Sequence, residues 1–224
     1  MRNKLSYLAF FFFIFASFLV SAVELDSAGE IVPDQNTLLL FHMNNNIADS
    51  AGKGYGDGVL YGNTACSVTG KFGNACSFDG NGDYIAANGT ITFPSGPFSI
   101  SAWFKTSSTE KSGRIIEKFQ SFTNDNFYLV LSPLGKVSGG LYDGTQWAGS
   151  SSETGYNNNQ WHHVVLVVTS TNIELYVDGV LKGTDAHDNA FPVNGYGIRI
   201  GRRNDGQSNT EFNGLIDEVA IWNR

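Results

Sequence analysis

WHHVVLVVTSTNIELYVDGVLKG, residues 161–183, decides the fold class. After Trp161 the run HHVVLVVT is almost continuous β-branched residue, and NIELYV then alternates Ile173, Leu175 and Val177 against Asn172, Glu174 and Tyr176. Successive strand side chains point to opposite faces, so this alternation describes a strand with one apolar face. Thr169-Ser170-Thr171 joins the two runs as a hairpin. Asp178-Gly179 follows and returns the chain through Val180-Leu181-Lys182, because Asp-Gly supplies the positive φ that a two-residue primed turn needs. His162 and His163 are adjacent in the strand and point to opposite faces, which rules out an ion shared between them.

Outward from this segment the same grammar continues. FSISAWFK, residues 98–105, puts Phe98, Ile100, Ala102 and Phe104 on one face and Ser99, Ser101, Trp103 and Lys105 on the other. TLLLFHM, GVLYG, RIIEKF, NFYLVL, KVSGGLY, GIRIG and LIDEVAIW are further strand candidates, and no stretch sustains a helical period. SSTEKSG and GSSSETGYNNNQ read as loops by composition. About a dozen short strands over roughly 190 residues describe an all-β protein, one two-sheet sandwich. The domain runs over 37–224, after a polar lead-in at 23–36. The 224-residue chain is 42% hydrophobic and 13% aromatic with 2 Cys, a globular composition, and its net charge of −7 argues against a nucleic-acid partner, which would require a surplus of Lys and Arg.

Residues 1–22, MRNKLSYLAFFFFIFASFLVSA, place Arg2 and Lys4 ahead of an uncharged apolar run that ends in the small residues Ser21 and Ala22. This is the layout of a cleaved secretory signal, and the rival is an uncleaved N-terminal anchor, since the run approaches the ~20 residues that span a bilayer. Either places the domain outside the cytoplasm, secreted or at the cell surface, with no further membrane segment after cleavage. Cys66 and Cys76 flank VTGKFGN, whose Gly and Asn residues suit a turn between neighbouring strands. An oxidising compartment then predicts one disulfide, worth roughly 2–3 kcal/mol, against the alternative of two buried thiols.

The motifs taken together resemble the laminin-G-like jelly-roll domains of the concanavalin A-like lectin/glucanase superfamily. ADSAGKGYGDG (48–58), GKFGNACSFDGNGDYI (70–85), FSISAWFK, the 161–183 segment, GIRIGRR (197–203) and FNGLIDEVAIWNR (212–224) occur in the order typical of that family. The resemblance implies a two-sheet antiparallel jelly roll, a topology that periodicity alone does not supply.

It also implies sites. Related jelly rolls often hold a structural calcium between an early acidic residue, backbone carbonyls and an Asp on the last strand; the matching positions are Asp49 and Asp217. Calcium accepts six to eight oxygens, backbone carbonyls included, and a carboxylate amid Leu215, Ile216, Val219 and Ile221 needs a partner if buried, either an ion or backbone amides. Asp79-Gly80-Asn81-Gly82-Asp83 offers alternating oxygens to a metal through Asp79, Asn81 and Asp83, but lacks the distal carboxylate of an EF-hand and reads more simply as a hairpin turn. A more distant similarity to pentraxins singles out Asp125-Asn126 and Asn204-Asp205 as ligand-side residues. Arg202 and Arg203 depart from that pattern and leave too few oxygens for a double calcium site. The same loop instead offers Arg, Asn and Asp groups to sugar hydroxyls, or is plain surface. Trp147, in the polar stretch YDGTQWAGSSS, is the aromatic candidate for stacking on a sugar ring, with core burial as its alternative.

Enzyme motifs are missing. The paired carboxylates of a jelly-roll glycoside hydrolase find no match beyond Glu24, Asp26 and Glu30, whose spacing is wrong. The sequence therefore points to a non-catalytic module that binds carbohydrate or a glycosylated surface, with calcium as a structural ion. A protein-binding or adhesive module without sugar is the alternative, and a glycoside hydrolase the third. Oligomeric state is not legible.

Overall fold

The computed structural model describes residues 23–87, 89, 96–118, 126–142, 146–188, 197–203 and 209–224. The expected signal segment lies outside these residues, as do Asp125, Asn204 and Asp205. Seventeen strands, numbered in chain order, build the described part, and no helix occurs within it.

One sheet has seven strands in the order β12 (Trp147–Ser151), β11 (Val137–Tyr142), β10 (Asn126–Leu131), β9 (Gly113–Lys118), β16 (Arg199–Ile200), β7 (Tyr84–Ala87) and β4 (Gly58–Tyr61). The other has eight: β15 (Val180–Ala186), β14 (Asn172–Val177), β13 (Trp161–Val168), β8 (Phe98–Lys105), β17 (Asn213–Trp222), β6 (Asn74–Asp79) and β5 (Ala65–Thr69), with β3 (Thr37–Phe41) also paired to β17. All the pairings are antiparallel.

Alternation decides which residues lie between the sheets. Phe98, Ile100, Ala102 and Phe104 of β8, with Val164, Leu166 and Val168 of β13, meet Ile85, Ile116, Leu129, Leu141 and Ile200 of the seven-stranded sheet in one cluster. All of these side chains are fully buried, each of the larger ones, Ala102 aside, worth roughly 1.5–3 kcal/mol in removed apolar surface. The β14–β15 hairpin turns at Asp178 (φ 52°) and Gly179 (φ 76°), which pairs Val177 with Val180 as the Asp-Gly signal requires. Asp178 also ties that turn to β13: its carboxylate bonds His162 Nδ1 at 2.8 Å and accepts the His163 amide at 2.9 Å. Cys66 on β5 and Cys76 on β6 form the expected disulfide.

Two segments are more ordered than their composition suggests. Gly149–Ser151, part of the stretch expected to be a loop, belongs to β12. Gly149 lies against Gly140 and Ser151 bonds the Ser138 hydroxyl at 2.8 Å, so small residues give this edge strand its close pairing. Within the lead-in, β1 (Glu24–Leu25) and β2 (Ile31–Val32) form a hairpin whose Ile31 packs on Leu40, Ala220 and Trp222, outside the main core.

Candidate functional site

The seven-stranded sheet turns a second face away from the core. Pairing aligns Val59, Ala86, Arg199, Glu117, Tyr128, Gly140 and Gly149 across its strands, while their neighbours Ile85, Ile200, Ile116 and Leu129 point inward. Gly140 and Gly149 leave room for the ring of Tyr128: a Cβ on either would stand 2.9 or 3.1 Å from its hydroxyl. Trp147 lies beside it, its ring 5.6 Å from Tyr128 and 5.3 Å from Tyr142. These three rings form an aromatic patch on a glycine floor. Trp147 is 43% exposed, which resolves the choice between surface and core. Burial holds the Tyr128 hydroxyl above the usual tyrosine range, so it stays a neutral donor and acceptor. Further along the row the Arg114 guanidinium sits 5.8 Å from the Tyr128 ring, and its Nε donates to Glu117 at 3.2 Å.

The other end of the face carries a second aromatic group. Tyr61 and Tyr84 stack in parallel with centroids 4.3 Å apart. The guanidinium of Arg199 lies 4.5 Å from the Tyr84 ring and that of Arg202 5.7 Å from it. Arg202 also approaches Glu211 at 3.8 Å. Of the sequence-selected ligand residues, Arg202 thus belongs to this end, with Arg203 next to it in the chain, and Trp147 to the opposite one. Four strand spacings, about 19 Å, separate β12 from β16, so the two groups do not meet at one point. Asn126 opens β10, on the strand that carries Tyr128. Sequence reading missed Tyr61, Tyr84, Tyr128 and Arg199, because strands adjacent in the sheet are far apart in the chain.

The acidic candidates sit elsewhere. Asp217 is fully buried on β17; Oδ2 accepts the amides of Lys71 (2.8 Å) and Phe72 (3.1 Å), and Oδ1 accepts that of Glu218 (2.9 Å). Burial pushes its carboxyl up to about 7 even though these amides favour the charged form. Asp49 Oδ1 accepts the amides of Leu40 and Ala51, and Oδ2 is buried without a hydrogen-bond partner. The two carboxylates therefore address different backbone segments, and the open acceptor that fits a cation is Asp49 Oδ2. Asp79 and Asp83 close the β6–β7 turn: Asp83 accepts the amides of Asn63 and Asp79, and Asp79 accepts that of Asn81.

One convergence of possible metal ligands among the described residues was not legible in the sequence. Glu30, His42 and Glu218 bring one ligand atom each within 4.8 Å of the others. Glu218 occupies the β17 bulge at φ 48° and is buried, with the amide of Ile31 on one oxygen and His42 Nδ1 2.7 Å from the other. The Glu218 hydrogen bond holds His42 above its ordinary range, against burial. His162 and His163 have separate surroundings: His162 lies against Phe104 and Tyr156, and His163 stacks on Trp103.

Comparison with known proteins agrees with this architecture. No curated protein sequence matches the chain. Domain 4 of AbnA, an extracellular arabinanase from Geobacillus stearothermophilus solved in complex with arabinotriose, superposes with a TM-score of 0.63 at 20% identity, over 84% of this chain and 92% of that one. The binding domain of botulinum neurotoxin serotype D gives 0.63 at 19% identity over 84% of this chain, which spans only 48% of the toxin fragment. Domains LG4-5 of the mouse laminin alpha1 chain give 0.52 at 19% identity, over 66% of this chain and 40% of that one. At such identities the likeness is one of fold, the jelly roll. A laminin-G family model of the concanavalin A-like lectin/glucanases superfamily matches residues 79–224, and the chain belongs to that family.

Proposed function

We propose that the protein is an exported, non-catalytic binding module that recognises carbohydrate on the outer face of its seven-stranded sheet, with calcium as a structural ion. The observation that carries this reading is the exposed Trp147 beside Tyr128 and Tyr142 on the Gly140–Gly149 floor. A flat aromatic surface backed by other rings loses little rotamer entropy on binding and suits the apolar face of a sugar ring. The arabinotriose complex of the similar arabinanase domain adds weight, since that jelly roll accommodates an oligosaccharide. Export rests on the basic and apolar pattern of residues 1–22.

Trp147→Ala tests the reading on a glycan array probed with the protein in multivalent form, because a shallow face binds each sugar weakly and avidity makes such contacts measurable. Loss of most binding with unchanged melting supports it. Unchanged binding overturns it, and turnover of a bound glycan replaces it with a hydrolase. Silence of the folded wild-type protein across the array transfers the weight to protein binding.

The buried, unpartnered Asp49 Oδ2 is what favours a cation at Asp49. A calcium ion that binds the folded state alone raises stability by mass action, so chelation lowers Tm. Asp49→Asn abolishes that difference, and equal melting with and without chelator rejects the ion.

A further inference from the structure

We infer that Glu30, His42 and Glu218 form a site for a first-row divalent metal ion, with zinc the best fit, which pins the lead-in hairpin to β17. The inference is independent of the carbohydrate reading and of a cation at Asp49. Its ligands come from three remote segments: Glu30 stands just ahead of β2, His42 follows β3, and Glu218 occupies the β17 bulge. One ligand atom of each lies within 4.8 Å of the others. Two of the three are oriented from behind, as outer hydrogen bonds orient metal ligands. Glu218 Oε2 accepts the Ile31 amide at 3.1 Å, and Asn44 Nδ2 donates to Glu30 Oε1 at 2.7 Å while its Oδ1 accepts the Asn74 amide at 2.7 Å. Gly73 makes room for this arrangement, since a Cβ there would collide with Asn44 Oδ1 and stand 3.0 Å from Glu30 Oε1.

Charge and donor chemistry select the ion. Among the described residues neither carboxylate has a Lys or Arg within ion-pair distance: Glu30 bonds the Asn44 amide group, and Glu218 bonds His42 and the Ile31 amide. Glu218 is buried, and a buried carboxylate needs a countercharge. One imidazole supplies at most a single positive charge to two carboxylates, whereas a divalent ion supplies two. Imidazole suits zinc and its first-row neighbours, while calcium and magnesium prefer shells made of oxygen alone. Zinc takes His and carboxylate ligands at about 2.0–2.2 Å in a tetrahedron, which sets the ligand atoms about 3.3 Å apart and leaves a fourth position to water. The three side chains approach that spacing by small rotations. His42 Nδ1 and Glu218 Oε1, now 2.7 Å apart, separate slightly, and the imidazole gives its proton to solvent as its nitrogen lone pair goes to the metal. Because Glu30 belongs to the lead-in, loading fastens the hairpin whose Ile31 packs on Leu40, Ala220 and Trp222.

The test titrates zinc chloride into the purified protein by calorimetry, after chelator has stripped it and been dialysed away, in the presence and absence of excess calcium. We expect one zinc ion per chain in both conditions, a visible absorption band when cobalt(II) replaces zinc, and slower amide hydrogen exchange over residues 24–32 in the loaded protein. His42→Ala should weaken zinc binding about tenfold or more, since even the outer partners of metal ligands are worth about 10–100-fold. Glu30→Gln keeps an acceptor for Asn44 and leaves the buried His42–Glu218 contact in place, so it tests the site in a protein that stays folded; it should weaken zinc to a similar degree and abolish the exchange effect. Asp49→Asn should leave zinc binding unchanged. Absence of zinc binding overturns the inference and reduces the cluster to a hydrogen-bonded network. Binding that survives both Glu30→Gln and His42→Ala places the ion elsewhere and also overturns it. Zinc binding abolished by excess calcium overturns it as well, because a site with an imidazole ligand should not favour the harder ion.

Discussion

The outer faces of the two sheets are put to opposite uses. On the seven-stranded sheet the outward side chains include rings and guanidinium groups, with Trp147 and Tyr61 each 43% exposed. On the eight-stranded sheet Asp217 and Glu218 are sealed, Asp217 under the amides of residues 71 and 72 and Glu218 under that of Ile31. There Trp103 is pressed between the His163 ring at 4.8 Å and the Lys71 ammonium at 4.4 Å. Polar groups on that face hold loops down, whereas the other face leaves Trp147 and Tyr61 exposed. An ionisable residue is thus better read by what already satisfies it than by its type: Asp217 looks functional in the sequence and spends its oxygens on the chain itself.

The contrast can be broken most forcefully at Asp217. Asp217→Ala removes the acceptor of three amides, that of Glu218 buried and those of Lys71 and Phe72 part-buried, and denaturant unfolding should show a loss of about 2–3 kcal/mol, with sugar binding preserved at temperatures where the variant remains folded. Reduction of Cys66–Cys76 comes next, with an expected cost of roughly 2 kcal/mol in the same assay; a reduced protein as stable as the oxidised one contradicts it.

A pH series in chelator sharpens the comparison from the sealed side. Asp217, with its folded pKa raised to about 7, contributes most below its ordinary carboxylate range and loses that contribution as pH rises toward 7. His42, also raised, stabilises below its ordinary pKa and ceases to do so as pH rises through its folded value. His163, pushed down to about 4 by burial, acts oppositely and costs stability as pH falls below its ordinary value of 6.5. Tm should therefore rise as pH falls from 8 to about 6 and flatten below that, with no single group contributing more than ~1.4 kcal/mol per pH unit. Asp217→Asn should remove its share of the slope, and a flat profile in the wild type contradicts the assignment. The smallest effect belongs to the open face: Trp147→Ala should change unfolding free energy by no more than about 0.5 kcal/mol, the usual range for surface positions.

Strands with strong alternation were readable without a structure. FSISAWFK is β8 from end to end, and Trp161–Val168 is β13. Asp178-Gly179 made its turn because backbone sterics there are local. The sheet order was not readable from periodicity, since Tyr61, Tyr84 and Arg199 become neighbours through pairings between β4, β7 and β16 that no local signal encodes. Trp147 was found as an isolated aromatic in polar sequence, but its supporting rings were hidden in strands that look ordinary. The Glu30–His42–Glu218 convergence escaped for two reasons. It depends on a bulge that places a glutamate at positive φ, where sequence would suggest glycine, and on a lead-in that composition marks as polar linker.

The position of β17 also constrains how the protein is made. Among the described residues it is the last of the seventeen strands in chain order, yet it stands between β8 on one side and β6 on the other, and pairs with β3 as well. Without it, the pairings of the eight-stranded sheet fall into three pieces, β15-β14-β13-β8, β6-β5 and β3 alone, and Phe41 lacks its partner Val219, far along the chain. Such closure carries the entropy of a very long loop, the kind of non-local pairing that slows folding in general. A chain that ends before residue 213 leaves β8, β6 and β3 with unpaired edges, and such edges are templates for aggregation. The same ten residues that complete the core therefore act as the step that commits the chain to its native state.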